Sequence, residues 1–192
     1  MGNLLSIYSV GNSLVTYLQN SYPDALRNEH ACDFRLLSSG EMVDVSNIGT
    51  ALSLYLYRVS IDEHLRNTSR HGALNEHNIP LAVDLHYLLT VWADSALAEH
   101  SILAWAMRQL YMYPILDRSA LTPEANWEAE DIIHIIPSEL SNEDMMRIWD
   151  ALIPPYHLSV SYVARVVRID IEPLPDSLPV VAKRFSYSQT RS

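Results

Sequence analysis

Residues 81–92 alternate by side: Val83, Leu85, Tyr87, Leu89 and Val91 share one face, and Asp84, His86, Thr90 and Trp92 the other. Period-two alternation rich in β-branched and aromatic residues specifies an extended strand. A second stretch of this kind spans 51–61. There Leu52, Leu54 and Leu56 point one way and Tyr55, Tyr57 and Val59 the other, so both faces need at least partial cover. The longest stretch covers 156–171. Leu158, Val160, Tyr162, Ala164 and Val166 alternate in one phase, then Val167, Ile169 and Ile171 in the opposite phase. A phase break within one strand implies a β-bulge or burial on both faces.

Helical signals lie between these strands. Residues 3–19 place Leu4, Ile7 or Tyr8, Leu14 and Leu18 near one face, with Gly11 weakening the middle and Tyr22-Pro23-Asp24 closing the segment. Asp94-Ser95 caps a helix that runs to about residue 112 and stops at Pro114, with Ile102, Leu103, Ala106 and Leu110 on its apolar face. Ser141-Asn142-Glu143-Asp144 starts another as a variant capping box, and that helix ends before Pro154-Pro155. Short strands are expected around Phe34 and Leu36 within 31–38, and at Ile132–Ile136, which Pro137 stops. Residues 62–79 form a long polar loop without periodicity, a length usually functional or disordered. The pattern predicts an α+β domain over 1–172, with a mostly antiparallel sheet and helices packed on one side, followed by a proline-containing tail at 173–192.

Charge narrows the function. The 192 residues carry a net charge of −10, which repels phosphate backbones and argues against nucleic acid as a partner. The charge is unevenly spread. Residues 94–150 hold eleven acids against three arginines, whereas from Val163 onward five basic residues face three acids. Like subunits with separated charge can meet acidic face to basic face in a ring, although a solvated acidic surface beside a tail has the same composition. No apolar run reaches the ~18 residues of a membrane helix. Met1-Gly2-Asn3-Leu4-Leu5-Ser6 fits an acylation pattern that short sequences match by chance, and reads as a helix start.

The sequence offers little chemistry. There is no G-x-S-x-G elbow, no P-loop and no G-x-G-x-x-G, so neither a nucleophile elbow nor a phosphate cradle is expected. The single cysteine, Cys32, reads as a small buried hydrophobe. His64, His71 and His77 share the long loop with Asp62, Glu63 and Glu76, but without H-E-x-x-H or paired-cysteine spacing they read as polar loop residues. His86 and His100 read as packed or capping residues, and Glu128, Glu130 and Asp131 as a solvated face. The expectation is no enzyme activity, no catalytic residues, no cofactor, no metal and no small-molecule substrate.

Several stretches together resemble a known family. Glu63-His64-Leu65-Arg66-Asn67 precedes Pro80-Leu81-Ala82-Val83-Asp84-Leu85-His86-Tyr87-Leu88-Leu89-Thr90, followed by Leu97-Ala98-Glu99-His100 and Leu103-Ala104-Trp105-Ala106-Met107. Later come Leu140-Ser141-Asn142-Glu143-Asp144 with Arg147-Ile148-Trp149, and Pro155-Tyr156-His157-Leu158-Ser159-Val160-Ser161-Tyr162. Over most of 3–171 the chain resembles the N-terminal domain of the cap, or tail-terminator, proteins of extracellular contractile injection systems of the antifeeding-prophage and Photorhabdus virulence cassette type.

That resemblance implies a phage tail-terminator-like α+β fold. It implies a hexameric ring that stops tube and sheath polymerisation at the end distal to the baseplate and anchors the last sheath ring. The partners it implies are the inner tube protein, the sheath protein, further copies of the chain and a second cap paralogue. It places the protein in the bacterial cytoplasm during assembly and then on a released or membrane-anchored particle. The alternative role is an adaptor joining the particle's distal end to a membrane or partner protein. Sheath subunits in such particles link through extended arms, so either 156–171 or 51–61 is expected to offer a free sheet edge. Arg165 and Arg168 then pair with acids on a neighbour, with Tyr55 and Tyr57 in the same candidate interface. The opposing reading makes both strands interior and the arginines solvated.

Overall fold

The computed structural model of the protein describes residues 2–62 and 81–169. Within them six strands form one sheet: β1 (Asp33–Leu37), β2 (Ala51–Ile61), β3 (Leu81–Trp92), β4 (Ile115–Leu116), β5 (Ile133–Pro137) and β6 (Ser159–Ile169). Their order is β1-β2-β3-β6-β5-β4. β1 runs parallel to β2, and the other pairs are antiparallel. A parallel pair needs a crossover rather than a tight turn. Residues 38–50 supply it, with a 3₁₀ turn at Glu41–Val43 and Gly49 at φ +66°, a left-handed conformation that glycine takes without steric cost.

The helices are α1 (Ser6–Ser21), α2 (Asp24–Glu29), α3 (Ala96–Met112) and α4 (Asn142–Asp150). The caps read from the sequence are present: Ser95 Oγ accepts the Ala98 N–H at the start of α3, and Ser141 Oγ accepts the Asp144 N–H at the start of α4. In place of the usual back-bond to the cap's own N–H, Asp144 accepts the Ser141 hydroxyl at 2.7 Å. Helix α2 and strand β4 were not anticipated. Both are too short to show a period, and α2 buries no residue.

The α+β class and the mostly antiparallel sheet match the expectation. The main core lies between one sheet face and α1 and α3. Leu52 and Leu54 of β2, Leu85, Tyr87, Leu89 and Val91 of β3, and Ala164 and Val167 of β6 meet Val10, Leu14 and Leu18 of α1 and Ile102, Ala106 and Leu110 of α3. Helix α1 approaches the sheet closely because it carries Gly11 there. A Cβ at that position would stand 2.8 Å from Leu36 Cδ1 and 3.2 Å from the Tyr87 hydroxyl. The residue that weakens the helix in isolation is therefore the one that lets it dock. The expected apolar face of α1 is only partly used: Leu14 and Leu18 are buried, but Leu4 precedes the helix and is exposed.

The packing of helices on one side holds for the two long helices. The short α4 serves the opposite face, where Trp149 joins Leu37, Met42, Ala51, Leu88 and Trp92 in a second, smaller core. The rings of Trp92 and Trp149 meet edge-on at 6.2 Å, with Tyr156 and His157 beside them. A sheet wide enough to leave β3 apolar on both sides needs this second cover.

A stripe of serines adds a polar seam. Ser6, Ser9 and Ser13 are fully buried on α1. Ser9 Oγ accepts the Trp127 indole N–H at 2.9 Å and lies 3.0 Å from the Thr122 carbonyl, while Ser13 Oγ accepts the Thr122 N–H at 2.7 Å. Every partner sits in the segment before β5, so these bonds clamp that segment, with its 3₁₀ turn at Pro123–Ala125, onto α1.

Two outcomes follow for stability, both measurable by chemical denaturation. Ser9→Ala strands the Trp127 N–H and is expected to cost about 1–3 kcal/mol. The indole N–H of Trp92 donates to Ser53 Oγ at 2.8 Å, whereas that of Trp149 has no acceptor among the described residues. Trp149→Phe is therefore expected to destabilise less than Trp92→Phe, the second change alone stranding a hydrogen-bond partner.

Candidate protein interface

The two phase breaks in the sheet are bulges, and they define the candidate surface. Between β3 and β6 the register passes from Leu85↔Ala164 to Val83↔Val167, so residues 165 and 166 oppose Asp84 alone. This is the break read from the sequence. Between β2 and β3 the register passes from Leu56↔Tyr87 to Arg58↔His86, leaving Tyr57 as the extra residue. The sequence placed Val59 with Tyr55 and Tyr57. The bulge instead sends Val59 to the main-core face opposite Leu85 and turns Arg58 to the other face beside His86.

Beyond the cover of α4, the second sheet face therefore carries charge. Arg58 and Ser60 on β2, Asp84 and His86 on β3, and Arg165 and Arg168 on β6 share it by register. All three arginines are exposed. Arg165 Nε lies 3.7 Å from Asp84 Oδ2, the arginine side chain 56% exposed and the aspartate 14%. The acid thus lies beneath and the guanidinium outside. His86 Nε2 is 2.9 Å from Ser60 Oγ. Burial and the neighbouring Arg58 and Arg165 charges hold its imidazole below its ordinary range.

Of the residues expected at an interface, Arg165 and Arg168 come together on this face and are exposed. Tyr55 and Tyr57 are half-buried instead: Tyr55 packs against the second core, and the Tyr57 hydroxyl bonds Ser161 Oγ at 2.9 Å. Arg58 was missed because nothing in the run Leu56-Tyr57-Arg58-Val59 marks a bulge.

The expected free edge is divided between the two strands. β6 is interior, paired to β3 along most of its length and to β5 from Tyr162 to Arg165, with Gly2 bridging Ile169. β2 pairs with β1 only from Ala51 to Tyr55, so among the described residues its outer side from Leu56 to Ile61 has no strand partner. A groove of about 370 Å³ lined by Ile7, Tyr8, Leu36, Leu56 and Tyr87 opens at the end of β1. Exposed Val59 and Ile61 continue its apolar side along β2.

Burial pushes the Cys32 thiol up to about 12, which keeps it protonated at neutral pH. Among the described residues no group of three or more His, Cys, Asp or Glu could hold a metal ion, and no helix is long and apolar enough to cross a membrane. The loop histidines His64, His71 and His77 and the tail from 173 lie outside the described residues.

The depressed His86 gives a signed pH dependence. Its folded-state pKa lies below its unfolded value near 6.5, so the unfolded chain binds the proton more readily. The neutral imidazole's contribution is complete above that pH and is lost as pH falls through the interval below it. Thermal melts from pH 7.5 to 5 should show that loss, and His86→Gln should flatten it.

Comparison with known proteins places this surface in context. Among curated proteins none matches the chain. Two solved structures share its fold. One is an extracellular contractile injection system structure, the PVC sheath/tube terminator in the extended state, at TM-score 0.56 and 18% identity, covering 96% of this chain and 64% of that one. Another is the anti-feeding prophage tube-terminating cap, at TM-score 0.53 and 15% identity, covering 89% of this chain and 60% of that one. The chain thus spans under two thirds of the length of either. Residues 9–183 match the Pvc16 N-terminal domain, so the chain belongs to that family.

Proposed function

We propose that this protein is a structural cap that ends the tube and sheath polymers of a contractile injection system, working by shape and contact rather than by turnover. The observation that carries this reading is the match along nearly the whole chain to folds found in a sheath/tube terminator and in a tube-terminating cap. On this reading the chain sits at the end distal to the baseplate, in a ring of copies that is hexameric in the terminator family, and contacts both the inner tube and the sheath. It is made in the bacterial cytoplasm and leaves with the particle.

The open stretch of β2 from Leu56 to Ile61 suits an acceptor for an extended sheath arm. Strand addition uses main-chain hydrogen bonds for affinity and pockets for alternate side chains for selectivity. The groove at the end of β1 provides such a pocket.

Deleting the gene and imaging the particles tests the role. The expected result is overlong tubes with sheaths that slip from the distal end, restored by the intact gene. Particles of normal length with anchored sheaths after deletion overturn it.

A further inference from the structure

The reading above leaves open how one copy meets the next. We infer that the arginine-bearing face of the sheet is the seat for the acidic segment before β5 of a second copy of this chain. The proposal rests on the ring arrangement in the cap reading and adds the two surfaces that make it.

The charge geometry carries it. The molecule is strongly acidic, net −10. Yet Arg58, Arg165 and Arg168 are exposed together on one sheet face, with Asp62 and Asp84 as the acids of the same strand segments. Asp84 is the inner partner of Arg165 and Asp62 has contacts of its own, so the outer layer of that face is cationic. The opposite charge lies across the sheet. The segment before β5 packs on the α1 side through Trp127 and Thr122 and exposes Glu128 and Glu130.

One chain cannot bring these surfaces together, because its own sheet separates them. Two copies can, and each contact leaves one face of each kind unused, which is the condition for a head-to-tail contact that propagates and closes into a ring. Guanidinium groups suit such seats because they pair with carboxylates in a fixed, bidentate geometry.

The test is a charge swap on the full chain, with self-association read by sedimentation and folding by circular dichroism. One variant carries Arg165→Glu and Arg168→Glu, the other Glu128→Arg and Glu130→Arg. All four positions are exposed, and Arg165→Gln with Arg168→Gln serves as the milder pair if the reversal perturbs folding. The wild type should self-associate in about 0.1 M salt and dissociate toward 21.8 kDa in about 1 M salt, where the screening length shrinks to about 3 Å. Each reversed variant alone should associate at least about a hundredfold more weakly, since like charges then face each other across the contact. Mixing the two should restore assembly, because each basic surface again meets an acidic one.

A wild type that stays monomeric at both salts, variants that assemble as the wild type does, or a mixture that remains monomeric overturns the docking. Tube length separates this from the cap reading. Variants that still end tubes at normal length while assembling like the wild type sink the docking alone. A charge swap that behaves as expected beside tubes indifferent to the protein sinks the cap reading alone.

Discussion

The structure depends on β3 being apolar on both faces along most of its length. From Leu85 to Trp92 its residues are buried apart from His86. Burying one face needs α1 and α3, and burying the other needs a second layer that a two-layer domain lacks. The chain meets this with a small core around Trp92 and Trp149 under α4, which covers one end of the sheet and leaves the other end bare. That partial cover produces the candidate surface, because the uncovered part of the same face carries arginines, aspartate and histidine where the covered part carries leucine and tryptophan.

The bulges decide which residues reach that surface. A pleated strand keeps strict alternation, so an extra residue flips every side chain after it. Without the bulge at Tyr57, Arg58 would lie on the main-core face beneath α1 and Val59 would face the charged side. Without the bulge opposite Asp84, Val167 would leave the core and Arg168 would enter it. Both bulges occur where the strands run beyond α4, so the change of phase coincides with the change from a buried to an exposed outer face.

This coincidence explains what could be read from the residues alone. β3 was legible because its alternation is long and its two faces differ in chemistry. The bounds of β2 were legible too, yet its facing beyond Leu56 was not, since Tyr57, Arg58 and Val59 suit either phase. The bulge in β6 was visible because Val166 and Val167 are adjacent apolar residues in a strand that otherwise alternates. The second core was hidden for a different reason. Trp92 and Trp149 lie far apart in sequence, and the period of α4 does not say which side of a sheet it will cover. Charge segregation was legible as a count along the chain, but only the fold shows that acids and arginines lie on opposite sides of one sheet.

The two sheet edges are treated unequally, and the difference bears on a protein that would stop a polymer. At the β4 edge the outer strand has only two residues, and Pro114 and Pro137 stand at the ends of the β4–β5 pairing. Proline has no N–H to donate and short strands template little, so this edge resists further strand addition. At the other edge β1 stops at Leu37 while β2 continues to Ile61 beside an apolar groove. An edge left open in a soluble chain invites aggregation unless something occupies it. The asymmetry is costly for a monomer and sensible for a subunit, since one edge then accepts a partner strand and the other offers no place for the next.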